Sequence, residues 1–242
     1  MKKVIEVRHL SASYGDHQVL KDVSFSCVKG EITVLLGSSG SGKTTVFKHL
    51  LGFHEVQSNV IEVLGQDIAE LDEDDMTALY LKLGVFYQNG ALISSLTVGE
   101  NIALPLQQHT DLSLTLIDRL VRLKLNMVNL EDSFDLYPSE LSGGMLKRAA
   151  LARAIIMDPP LVFCDEPGAG LDPVTLASLD ELVRSLNKQL GISFLIVTHE
   201  LSSIRRIADK IVFLEDGTVG YEGNVDDVQR SKSDQILKYF SY

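Results

Sequence analysis

The chain has no apolar stretch long enough to cross a bilayer, because Arg119, Arg122 and Lys124 interrupt its longest candidate. Cysteine is scarce. Cys27 and Cys164 both lie in apolar, strand-like runs and form no C-x-x-C pair, which points to buried small hydrophobes in a reducing cytoplasm. A surplus of positive charge is missing as well: 22 Lys and Arg against 33 Asp and Glu leave a net charge of −11. That balance argues against non-specific binding to nucleic acid or to an anionic bilayer. The start, Met1-Lys2-Lys3-Val4-Ile5-Glu6, carries a basic pair without an apolar signal core, so no export signal is expected. There is no low-complexity tract and no internal repeat. What remains is ordinary for a globular protein: 45% hydrophobic and 23% charged residues in a chain of 242, enough for one α/β domain or two smaller units.

One segment stands apart. Gly37-Ser38-Ser39-Gly40-Ser41-Gly42-Lys43-Thr44 fills every fixed position of G-x-x-x-x-G-K-[ST]. The apolar run Ile32–Leu36 before it predicts a buried strand, and Thr44 to Leu51 predicts a helix. In that context the glycines bring backbone N–H groups close to phosphates, Lys43 reaches the β/γ-phosphates, and the Thr44 hydroxyl can bind Mg²⁺. A Gly/Ser-rich turn between core elements is the plain alternative, yet chance produces the pattern in about one chain of this size in a hundred. The reading is a nucleoside triphosphate site.

Along the chain the pattern changes twice. Short β-type runs dominate first: Val4–Val7, Val23–Val28, Glu31–Leu36 and Val60–Leu64. From about Asn89 to Ile156 the periodicity is helical, with Leu116, Leu120 and Leu123 on one face and Arg119 and Arg122 off it. After Pro159-Pro160 the β signal returns in Leu161–Cys164, Ser193–Val197 and Ile211–Leu214, with helices between. This alternation predicts a parallel sheet with crossover helices, opened by an antiparallel β segment and interrupted by a helical insertion.

Two further sites carry chemistry. Leu161-Val162-Phe163-Cys164-Asp165-Glu166 reads as a buried strand that emerges with two carboxylates at the ligand-gathering edge of the sheet. Asp165 is placed to hold Mg²⁺, and Glu166 to orient and deprotonate a water. Leu141-Ser142-Gly143-Gly144-Met145 precedes a helix read from Leu146 to Ile156. Alone it is an N-cap; beside a phosphate loop a hundred residues away it becomes a second anion site. One nucleotide needs one cradle, so a second loop makes sense if it closes over ATP from another copy of the protein.

Taken in order, the phosphate loop, Leu141–Met145, Leu161–Asp165 with Glu166, and Thr198-His199-Glu200 resemble the nucleotide-binding domain of ABC transporters over essentially the whole chain. The resemblance implies an α/β fold with a RecA-like P-loop NTPase core, an antiparallel β subdomain and a helical insertion. It places the core in 1–88 and 157–225, the helical subdomain in 89–156 and a C-terminal tail in 226–242. It also assigns further roles. Tyr14 stacks on adenine, Thr45 joins the phosphate loop, Gln88 contacts Mg²⁺ and senses the permease, and Gly170-Leu171-Asp172 crosses the dimer interface. His199 contacts the γ-phosphate, while Ser142, Gly143 and Gly144 come from the opposite subunit. The signature has Met145 where Gln is commonest, and Pro167-Gly168-Ala169-Gly170 replaces the usual Pro-Thr-Ser-Gly. Neither change removes a charge or a phosphate donor, so active hydrolysis of ATP with Mg²⁺ is expected.

The stretch Gln88 to Leu106, and Lys147 to Arg153 after the signature, is similar to the ATPases of Mla/Mce-type phospholipid transport systems. That resemblance implies a peripheral subunit on the cytoplasmic face of an inner membrane. Its partners would be a second copy, an integral membrane permease, a lipid-binding Mce protein and a small accessory subunit, with phospholipid as cargo and no nucleic acid. A motor for another cargo, such as lipoprotein release or solute uptake, and a soluble ABC ATPase are the alternatives. For the tail, which ends in Ile236, Leu237, Tyr239 and Phe240, the readings are a helix docked on its own domain or a contact with the second ATPase.

Overall fold

The computed structural model describes residues 2–230 and 233–241. Met1, where the export-signal reading begins, and Tyr242, where the tail ends, lie outside them.

The opening β segment forms a four-stranded antiparallel sheet in the order β2-β1-β4-β5. Its strands are β1 (Lys3–Tyr14), β2 (His17–Val28), β4 (Ile61–Val63) and β5 (Gln66–Asp67). The second sheet runs β10-β9-β3-β8-β7-β6. It comprises β3 (Ile32–Gly37), β6 (Leu83–Phe86), β7 (Leu161–Asp165), β8 (Ser193–Val197), β9 (Lys210–Glu215) and β10 (Thr218–Gly223). All of its pairings are parallel except β10 with β9. Every residue of β3 is buried, as a central strand covered on both faces requires. Side chains alternate between two cores: Val34, Leu36, Val162, Cys164, Phe194 and Ile196 join one, Leu35, Leu161, Phe163, Leu195 and Val197 the other. The antiparallel sheet and the phosphate-loop helix α1 (Lys43–Leu50) close the second core, and Phe47 meets Phe163 edge to face at 5.8 Å.

Three helices fill the middle: α3 (Val98–His109), α4 (Leu114–Met127) and α5 (Gly143–Ala154), after α2 (Glu73–Tyr80). Thr97 and Glu100 form a capping box at the start of α3. The fully buried Asn101 bonds Ile93 through both its N–H and carbonyl and also reaches the Leu96 and Thr97 carbonyls, which fixes the loop leading into α3.

The expected face of α4 holds only in part. Leu120 packs against the core, but Leu116 and Leu123 are 41% and 54% exposed, whereas Ile117, Val121 and Leu125 are buried. The 4-residue spacing of that second set follows the helical row that faces α3 and α5. The basic interruptions are absorbed differently from one another. Buried Lys124 extends its stem to an ion pair with Asp158, and Arg122 lies 4.0 Å from the centre of the Phe134 ring.

After α6 (Pro173–Leu190) and α7 (Leu201–Ile207), the tail runs through a 3-10 turn (Val225–Arg230) into α8 (Asp234–Phe240). Ile236 is fully buried in the first core, with Tyr239 and Phe240 packed against it, so the tail docks on its own domain.

Candidate active site

The parallel strands deliver their carboxyl ends to one edge. Leu35 and Asp165 both align with Val197, and Phe86 aligns with Cys164. The residues that follow these strand ends are therefore neighbours: the phosphate loop after β3, Tyr87-Gln88 after β6, Glu166 at the end of β7, and Thr198-His199 after β8.

The phosphate loop takes its shape from two glycines above all. Gly37 has φ 154°, and a Cβ there would fall 2.3 Å from the Leu214 carbonyl oxygen; Gly42, which precedes α1, has φ 101°. Lys43 turns back over the loop and donates to the Gly37 and Ser38 carbonyls at 2.9 and 2.8 Å. Burial holds its amine below the ordinary lysine range, and the charge of Glu166 acts in the opposite direction. Ser41 Oγ is buried without a hydrogen-bond partner among the described residues.

At the end of β7, burial raises the Asp165 carboxyl above its ordinary value, with the Glu166 charge as the second cause. Glu166 has φ 45°, the left-handed region that a side chain of this size rarely adopts. Its N–H donates to the Val197 carbonyl at 2.8 Å, which pins the turn against β8. His199 Nδ1 lies 2.8 Å from Glu166 Oε1, while Glu166 Oε2 is buried with no partner among the described residues.

A pocket of about 900 Å³ gathers Gly37, Ser38, Ser39, Gly40, Lys43, Thr44, Glu166 and His199. Leu201, Phe213 and three residues of α8, Gln235, Lys238 and Tyr239, complete its wall. Ser41, Gly42, Thr45, Gln88 and Asp165 are not in its lining. Tyr14 is 51% exposed, with its hydroxyl 3.1 Å from His54 Nε2. Ser142, Gly143 and Gly144 lie off this pocket as well. Helix α5 starts at Gly143, three residues before the expected Leu146, because Ser142 caps it by accepting from the Met145 N–H at 3.3 Å. The N-cap reading is what the structure shows, with the glycine N–H groups in the first turn. Gly144 also answers to packing, since a Cβ there would sit 2.6 Å from Thr175 Cγ2.

The family model described as ABC transporter matches residues 20–169. The chain belongs to the ABC transporter family. It is an ATPase subunit of that family, with the P-loop α/β fold. It is 35% identical over 238 residues to the intermembrane phospholipid transport ATP-binding protein MlaF of Haemophilus influenzae, covering 98% of this chain and 90% of that protein. It is 39% identical over 214 residues to the probable ribonucleotide transport ATP-binding protein Mkl of Mycobacterium leprae, and 35% over 222 residues to the methionine import protein MetN of Brucella abortus. Those matches cover 88% and 92% of this chain but 62% and 60% of the two relatives. Among solved structures, CbiO1 of Clostridium perfringens superposes with a TM-score of 0.87 at 27% identity, covering 96% of this chain and 92% of that one. The dimeric MJ0796 cassette bound to ADP and phosphate gives 0.81 at 28% identity, covering 91% and 98%.

Within this ABC subunit, two site residues were not legible from the sequence. Buried Lys147 of α5 donates to the Gln88 main-chain carbonyl, and burial lowers its amine below the ordinary range. Arg153 of the same helix donates to the Gly90 and Ala91 carbonyls at 2.9 and 2.8 Å. The signature helix therefore holds the segment that follows β6. Nothing in the local pattern announces this, since both cations read as ordinary helix-surface charges. The Gly168 departure does have a physical reason: a Cβ there would lie 2.3 Å from Leu176 Cδ1, so a threonine needs that leucine to move.

Proposed function

We propose that this chain is the motor of a phospholipid transporter, peripheral on the cytoplasmic face of an inner membrane, and works as a head-to-tail dimer. The observation that carries the cargo is the match to Haemophilus MlaF along 90% of that protein, against about three fifths of the ribonucleotide and methionine relatives. The similarity of the Gln88–Leu106 stretch to Mla/Mce-type ATPases points the same way. A groove of about 340 Å³ between α2, β6, α3 and α5, lined by Tyr80, Leu83, Val85, Pro105 and Met157, is mostly apolar and suits a coupling helix of the permease. An Mce-type lipid-binding protein and a small accessory subunit complete the proposed assembly.

In this reading Gly37 to Thr45 bind the ATP phosphates, Lys43 provides the cation, and Tyr14 stacks on adenine. Glu166 accepts a proton from the attacking water and His199 contacts the γ-phosphate. Ser142, Gly143 and Gly144 of a second copy close the site, as the dimeric state of MJ0796 suggests. The oxygen donors suit Mg²⁺: Thr44 lines the pocket, and the Asp165 carboxyl, raised by burial and by the Glu166 charge, would be stabilised by a cation. Thr44, Asp165 and Gln88 would hold it. A cation held there would neutralise charge on the phosphate oxygens.

The test is reconstitution with the permease in vesicles. ATP-dependent transfer of labelled phospholipid is expected, together with stimulation of turnover by phospholipid. The identities to Mkl and MetN favour a second reading, solute import, and stimulation by a ribonucleotide or methionine without lipid transfer would replace the first with it.

A further inference from the structure

We infer that Tyr239 of α8 is a positioning residue for ATP hydrolysis, its hydroxyl holding the main chain of His199 so that the imidazole stays on Glu166. The inference deepens the site reading above and rests on its assignment of His199 and Glu166. The Tyr239 hydroxyl donates to the His199 carbonyl at 3.1 Å. Residues 198–200 belong to no strand or helix; main-chain bonds hold Thr198 and Glu200 on either side, and among the described residues the Tyr239 hydroxyl is the group that bonds the His199 carbonyl between them. The other end of the same residue is the imidazole 2.8 Å from Glu166 Oε1.

Tyr239 is itself immobilised. Its ring meets Phe213 of β9 edge to face at 5.7 Å. Burial, then the charges of Glu166 and Glu200, push the hydroxyl up to about 12, so it remains a donor at every pH the protein meets. Helix α8 is anchored along its length. Ser233 Oγ donates to Glu215 Oε2 at 2.7 Å before its first turn, Ile236 fills the core, and Arg205 donates to the Phe240 carbonyl at 2.8 Å. The tail is thus a rigid support that reaches the catalytic carboxylate through one intermediary and needs no contact with the reacting phosphate.

The experiment is steady-state ATP hydrolysis and thermal melting of the full-length chain carrying Tyr239→Phe, beside Glu166→Gln and His199→Ala. Phenylalanine keeps the ring on Phe213 and removes only the hydroxyl. Turnover should fall about three- to tenfold, the loss expected for one positioning hydrogen bond, with KM for ATP within about twofold and a melting temperature lowered by no more than about 4 °C. Wild-type turnover in Tyr239→Phe, or a fall that comes with a larger drop in melting temperature, overturns the inference. If Glu166→Gln and His199→Ala lose turnover while Tyr239→Phe does not, the tail alone has been misread. If those two variants turn over normally, the site assignment fails with it.

Discussion

Glu166 uses its two carboxylate oxygens differently: Oε1 meets His199 Nδ1 at 2.8 Å, and buried Oε2 has no hydrogen-bond partner among the described residues. One oxygen is held by the imidazole and the other is shielded from solvent, so the carboxylate is oriented by its surroundings. Leaving a buried acceptor unpaired costs about 1–3 kcal/mol, and the left-handed backbone adds to that cost at the same residue.

Glu166→Gln retains the shape and the contact to His199 but removes the base. ATP binding should survive while turnover drops by ~10²-fold or more, trapping a nucleotide-bound dimer. Size-exclusion chromatography with ATP, beside a phosphate-release assay, checks both halves. Near-wild-type turnover in the assembled complex would falsify the assignment.

Lys43 and Tyr14 should separate phosphate binding from base stacking. Lys43→Ala removes the cation over the phosphate loop and should lower turnover by ~10²-fold or more. Tyr14→Ala removes an exposed ring and should raise the apparent KM for ATP by about two- to tenfold, with kcat little changed. Comparable, severe losses of ATP-dependent dimerisation in both variants would remove Tyr14 from the site.

Much of this arrangement could be read from residue types alone, and the reasons are physical. Glycine spacing, Lys43 and the paired acids report on backbone geometry and charge, which are local properties, so the strand–loop–helix and the end of β7 stood clear. What depends on partners distant in the chain did not. The buried face of α4 is chosen by α3 and α5, and of three leucines at helical spacing only Leu120 lies on it. Strand β10 carries four partly buried residues, two of them glycines, and no fully buried one, so it lacks the alternation of a half-buried strand. Helix α2 begins at an Asp72 cap that accepts from the Asp75 N–H, within an acidic run that resembles a loop. Lys147 and Tyr239 act through main-chain carbonyls, and a carbonyl has no signature in a sequence.

The two thiols give a prediction in alkaline solution. Burial pushes Cys27 up to about 12 and raises Cys164 as well, so both stay neutral and unreactive in the folded state. Ellman's reagent at pH 8 should label neither without denaturant and both with it. The sign for stability follows. Unfolded thiols lose their protons near about pH 8.5 while the folded ones keep them, so stability is full below that pH and falls as pH rises toward 12. Fast labelling of native protein would show that these strands open.

Those inert thiols leave the protein ready for a disulfide test of the shared site. Ser39 lines the phosphate pocket and Ser142 caps the signature helix, and both are exposed. In one chain Ser142 is not among the residues that line the pocket containing Ser39, and the proposed head-to-tail dimer brings the second copy's Ser142 to it. Two acidic subunits, each of net charge −11, repel one another, and ATP with its cation must provide much of the contact. Cysteines at both positions in the Glu166→Gln background should therefore form an intersubunit bridge, or accept a short bifunctional linker, only when ATP is present. Non-reducing gels would show a dimer band that Lys43→Ala abolishes. Crosslinks confined to one chain, or none despite measured ATP binding, would place the signature glycines away from the phosphates and refute the shared site.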